Sequence, residues 1–199
     1  MASKYSEPWD ESDIAFIVEE KPFHCHYFLL KMCSPVFRAM FSGNFHEAKS
    51  KPVPLPGKEA AVFKTFLDYV YLVDGVYPVL TDLDVVVKVL NLCDEYQVKS
   101  VKKHIDHMLY NCVYSRKEYN PADVSQLMTD LKMTEQHGLE EAQNCICRRI
   151  VEINVGSYNG TVFDELSGEL KFKLLAGLVK RWKVDNVCIL KYFTSKYAP

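Results

Sequence analysis

Tyr27 to Cys33, "YFLLKMC", constrains this chain more than any other stretch. It reads as one short helix, yet Phe28, Leu29, Leu30 and Met32 leave it apolar nearly all round. A helix with so little polar surface has to be covered on several sides. In a chain of 199 residues, a second subunit can supply one of those covers.

The flanking residues say what the other covers are. Asp13 to Glu19, "DIAFIVE", reads as a strand with Ile14, Phe16 and Val18 on one face. Ala15 and Ile17 make its other face apolar too, so burial on both sides is expected. Glu20-Lys21-Pro22 is turn-like, and Phe23 to His26 forms the returning strand of a hairpin. Beyond the apolar helix, Ser34-Pro35 reads as N-cap and first position of another helix, ending near Phe41 before Ser42-Gly43. A polar loop then carries Phe45, His46 and Glu47, and "PVPLP" allows at most a short edge strand at Val53 to Leu55.

Helices dominate the rest. Lys58 to Tyr71 has Val62, Phe63, Phe66, Leu67 and Val70 at helical spacing. Thr81 opens a further helix with Asp84 three positions on, a capping-box pattern. Gln97 to Cys112 follows with Val98, Val101, Ile105 and Met108. Periodicity lapses around "SRKEYNP", which divides the chain into residues 1–114 and 115–199. Asn120-Pro121 looks like the start of a helix with Val124, Leu127, Met128 and Leu131 inward. Thr134 is expected to begin the next, Ser167 caps a third, and Val184 to Tyr197 reads as a fourth. The fold class is α+β and mostly helical, with an all-α C-terminal part.

Little here points to catalysis. The sequence has no phosphate-binding glycine loop, no G-x-S-x-G, no H-E-x-x-H and no C-x-x-C. His104 and His107 lie one turn apart, with Cys112 further on, but a zinc site would need a fourth ligand. His24 and His26 flank Cys25 in a strand and so face away from it, which argues against a Cys-His nucleophile. No metal, cofactor or catalytic residue is expected. A net charge of -2 argues against a general nucleic-acid binder. The polar start has no apolar signal core, and no run is long enough to cross a membrane. Seven scattered cysteines fit a reducing compartment better than a disulfide framework. What remains is surfaces: the over-apolar helix and Phe45, both suited to protein partners.

Three stretches carry a family resemblance: "SDIAFIVEEKPFHCHYFLLKMCSPVFRAMFSGNFHE", "PLPGKEAAVFKTFLDYVY" and "VVKVLNLCDEYQVKSVKKHIDHML". Their Asp on the first strand, Phe-x-x-His entering the first helix and Ser-Pro-x-Phe resemble a BTB/POZ domain. The later "CICRRIVEINVGSYNGTVFDELSGELKFKLL" is similar to the helices of a BACK region. The resemblance implies a helical cluster with a small flanking sheet, acting as a non-catalytic interaction module in the cytoplasm or nucleus. It implies homodimerisation through Tyr27, Phe28, Leu29, Leu30 and Met32. It also implies a role as substrate adaptor of a cullin-3 ubiquitin ligase. A hydrophobic-x-Glu motif would contact the cullin N-terminal region, and that motif falls on Phe45 and Glu47, with Met40 and Tyr96 on the same side.

The departures narrow this reading. Repressor-type members pair the first-strand Asp with a basic residue after the His; here Tyr27 follows His26. The arm before Asp13 is short, so strand exchange between subunits is not expected. No Kelch or MATH module is recognisable, so an unknown substrate would be met by the last helices or by chain outside this one. The competing reading is a self-associating BTB scaffold or transcription-linked regulator without a ligase role. In it Phe45 packs into the chain's own core.

Overall fold

The computed structural model describes residues 4–42, 52–72, 82–116, 118–119, 123–153 and 160–197, the last range as backbone alone at 160–162 and 183–197. Contacts divide the chain between Ile105 and Asp106, so each part is described by itself.

The first part begins with β1 (Ile14–Val18) and β2 (Lys21–Cys25), an antiparallel hairpin that pairs Phe16 with Phe23. Its two turn residues, Glu19 and Glu20, have φ of 47° and 63°, as a hairpin's primed turn requires. β3 (Val53–Pro54) adds to β1 in parallel, giving the order β2-β1-β3. This is the short edge strand expected from its prolines. Ile14, Phe16 and Val18 are buried, while Ala15 and Ile17 are half-buried.

Helices α1 (Tyr27–Cys33), α2 (Pro35–Met40), α3 (Ala60–Tyr71), α4 (Leu83–Glu95) and α5 (Lys99–Ser115) follow. Phe16, Phe37, Phe63, Phe66 and Tyr96 form an aromatic core, each at most 2% exposed. Ser34 caps α2 as its sequence predicts: its Oγ accepts from Phe37 N–H at 3.0 Å. It also donates to the Tyr96 carbonyl at 2.5 Å, tying the α1–α2 junction to the end of α4. The helix expected to open at Thr81 begins at Leu83 instead. Its cap is Asp82, whose carboxylate accepts from Asp84 N–H at 2.9 Å.

Residues 4–13 lie along the outer edge of β2. His24 N–H donates to the Tyr5 carbonyl, and Trp9 Nε1 donates to the His24 carbonyl, both at 2.8 Å. Tyr5 is fully buried against Trp9, Phe23 and Tyr71. The arm therefore satisfies backbone polar groups of this edge at His24 and Cys25.

The second part holds α6 (Asp123–Gln136), α7 (Glu140–Glu152), α8 (Gly160–Glu165) and α9 (Gly168–Tyr197), after the end of α5. Val124, Leu127, Met128, Leu131, Ile146, Ile150, Leu170 and Leu174 share one core. Thr134 does not begin a helix. It is buried inside α6, with Oγ1 donating to the Leu131 carbonyl. The break comes at Gly138, whose φ of 60° suits a glycine. The Asn120-Pro121 start lies outside the described residues. Ser167 caps as expected, and α9 runs unbroken where two helices were expected.

Leu139 gives α7 no side-chain cap. Asp106, on α5, supplies one: its carboxylate accepts from Glu141 N–H at 3.1 Å and Ala142 N–H at 2.8 Å. Asp106→Ala is expected to lower the stability of this part by about 2 kcal/mol, because two backbone donors lose their side-chain acceptor. Urea denaturation followed by circular dichroism measures it, and a loss under about 0.5 kcal/mol contradicts the capping role.

Candidate protein-interaction surface

Helix α1 splits its apolar residues between two environments. Leu30 is fully buried in the core, which removes it from the contact set expected for this helix. Phe28 and Met32, one turn apart, are 64% and 65% exposed, and Tyr27 and Leu29 are half-buried. The Lys31 ammonium lies 4.9 Å from the Tyr27 ring centre and 5.5 Å from that of Phe28. It sits at cation–π distance from both rings.

The helix is held from both ends. Asp13, just before β1, accepts from Tyr27 N–H at 2.7 Å, capping α1, which has no cap of its own. The Arg38 guanidinium on α2 donates to the Lys31 carbonyl through Nε and Nη2. A short helix that cannot stabilise itself is thereby presented as a rigid surface.

Met40 is half-buried at the end of α2, beside Phe41, which packs on Tyr27 and Phe37. Tyr96 is only 2% exposed and stacks on Phe37 at 4.5 Å. It therefore supports α2 from beneath instead of offering its ring to a partner. Phe45, His46 and Glu47 lie outside the described residues.

The reactive side chains have structural surroundings. Burial pushes the Cys25 thiol up to about 12, so it is not a thiolate at neutral pH. His26 is engaged through Nε2 with the Asp10 carbonyl at 2.6 Å and through Nδ1 with Tyr71 Oη at 3.2 Å. His104 lies against Tyr69, while His107 pairs with Glu141 at 3.1 Å. Cys145 and Cys147 are buried. Among the described residues, no three His, Cys, Asp or Glu side chains are grouped to hold a metal. No helix among them is long and apolar enough to cross a membrane.

Sequence reasoning missed three supports of this surface: the Asp13 cap, the Ser34–Tyr96 bond and the docked arm. The arm left a signal, since Tyr5 and Trp9 are large rings in an otherwise polar stretch. The other two join residues far apart in the chain, and no local pattern marks them.

Comparison with known proteins agrees with this architecture. Human Kelch repeat and BTB domain-containing protein 2 is 33% identical over 111 residues, covering 51% of this chain and 17% of that protein. Mouse Kelch-like protein 26 is 36% identical over 78 residues, covering 39% and 12%. An Arabidopsis thaliana protein named ARM repeat protein interacting with ABF2 is 28% identical over 100 residues, covering 49% and 13%. The chain thus spans less than a fifth of the length of each of these relatives. Residues 2–112 match the BTB/POZ domain. With its hairpin, capped α1–α2 pair and helical cluster inside that match, this chain belongs to the BTB/POZ domain family of protein-interaction modules.

Proposed function

We propose that this protein is a homodimeric substrate adaptor for a cullin-3 ubiquitin ligase, working in the cytoplasm or nucleus. Phe45 inserts into an apolar groove of the cullin N-terminal region and Glu47 makes a charge-assisted contact beside it. Met40 adds rim area, and Tyr96 holds α2 in place from below. Residues 1–114 form the BTB/POZ domain and residues 115–199 a BACK-like helical region that meets an as yet unidentified substrate. Neither role involves catalysis or a cofactor.

One observation carries the reading: a capped, rigid α1–α2 pair that leaves apolar side chains at its surface, in a chain whose relatives include Kelch-like proteins. Calorimetric titration with the cullin-3 N-terminal region tests it. No binding by the wild-type chain leaves the self-associating scaffold or transcription-linked reading, which needs only α1.

Self-association has its own test. Replacing Phe28 and Met32 together by serine is expected to weaken the dimer about ten-fold or more, since both side chains are exposed and apolar. Light scattering on the eluting peak measures this. A wild-type chain that stays monomeric at tens of micromolar contradicts the dimer. Tyr27 stands after His26 where repressor-type members carry a basic residue, which speaks against a charged pocket built on Asp13.

A further inference from the structure

Helix α9 buries one face and leaves a second apolar line in solvent. Leu170 and Leu174 point into the core. On the same side Gly177 approaches α7 so closely that an added Cβ would lie 2.8 Å from Val151 Cγ2. Phe172, Leu175, Val179 and Trp182 face away from it, at 75%, 51%, 54% and 67% exposed. Their spacing is three, four and three residues, the repeat that forms a seam between paired helices. At about 100° per residue the four fall within about 80° of arc, roughly opposite the buried leucines. Four large apolar groups in one line exceed the scattered exposure usual on a monomer.

Charge identifies what fits there. From end to end the helix carries seven lysines and arginines against Glu169 and Asp185. Beside the seam, Lys171 donates to the Asp164 carbonyl at 2.7 Å, a neutral acceptor, so this bond leaves its positive charge uncancelled. Lys173 lies toward α7, where it donates to the Asn144 side-chain oxygen. A second copy of the helix would bring cations against cations. A membrane surface would need a broader apolar face than this seam.

From the seam and its charge, we infer that the outward face of α9 docks an acidic amphipathic helix of a partner protein. The partner lays an apolar stripe on Phe172, Leu175, Val179 and Trp182 and sets its carboxylates against the flanking lysines. Trp182 is the anchor, being the side chain type most often dominant in such contacts. This surface is separate from the cullin reading and does not depend on it.

The full chain tests the inference without any cullin. The probe is a fluorescein-labelled designed helix of about three heptads, with leucine on its seam and glutamate at its flanks. A twin carries lysine for every glutamate. Fluorescence anisotropy is expected to favour the acidic helix over the twin by about ten-fold or more. Trp182→Ala should weaken it about ten-fold with an unchanged thermal melt. Lys171→Glu combined with Lys180→Glu should reverse the preference. The inference is overturned if neither helix binds, if both bind equally, or if Trp182→Ala has no effect. It is also overturned if phosphatidylserine vesicles bind the chain while the acidic helix does not, or if Trp182→Ala instead dissolves a dimer.

Discussion

Phe37→Ala is expected to destabilise the BTB/POZ part by about 3–5 kcal/mol, the usual loss for a buried phenylalanine truncated to alanine. The ring is fully buried and touches three others: Tyr96 at 4.5 Å, Phe16 at 5.6 Å and Phe41 at 6.2 Å between ring centres. Removing it empties the space between α2, β1 and the end of α4 at once. Phe37→Leu should lose less than half as much, because most of the volume is kept. The chain has two tryptophans, Trp9 and Trp182, which lie in different parts. In a Trp182→Phe background, fluorescence during urea denaturation reports the BTB/POZ part alone. A loss below about 1 kcal/mol would mean that the aromatic stack is not the centre of the core.

Phe45→Ala is expected to weaken cullin-3 binding by about 2 kcal/mol or more, roughly thirty-fold, as for an anchor side chain at the centre of an interface. Glu47→Lys should weaken it less, and more at low salt, because a rim charge acts mainly through steering. Two readouts separate the competing readings of Phe45. If the ring docks a cullin, affinity falls and the thermal midpoint stays. If the ring packs into the chain's own core, the midpoint falls by several degrees, as it would for a loss of core packing. Unchanged affinity in both variants would move the docking site elsewhere on the chain.

Much of the fold was legible because local patterns agreed with the tertiary structure. The Ile14, Phe16 and Val18 face and the stripe from Val124 to Leu131 each turn toward a core, and Ser34-Pro35 marks a helix start. Leu30 was not legible, for a physical reason. A seven-residue helix apolar nearly all round has no polar face to say which side is outward. Thr134 misled because a hydroxyl residue favours helix starts, yet inside a helix it can bond back to a preceding carbonyl, as it does to Leu131. Of the candidate site, the over-apolar character of α1 was legible, but not that Phe28 and Met32 are the residues it turns outward. The bonds that hold them in place, from Asp13 and Arg38, join segments that local periodicity does not connect.

The Ser34 hydroxyl has a consequence beyond helix capping. Ser-Pro is the dipeptide that proline-directed kinases act on, so residues 34 and 35 look like a phosphorylation site on paper. In the folded chain the oxygen is fully buried, accepts from Phe37 N–H and gives its proton to the Tyr96 carbonyl. A kinase could reach it only in an opened molecule, and a phosphate would then carry nearly two negative charges into an aromatic core. Phosphorylation at Ser34 would therefore mark chains that have already lost this fold and keep them from regaining it.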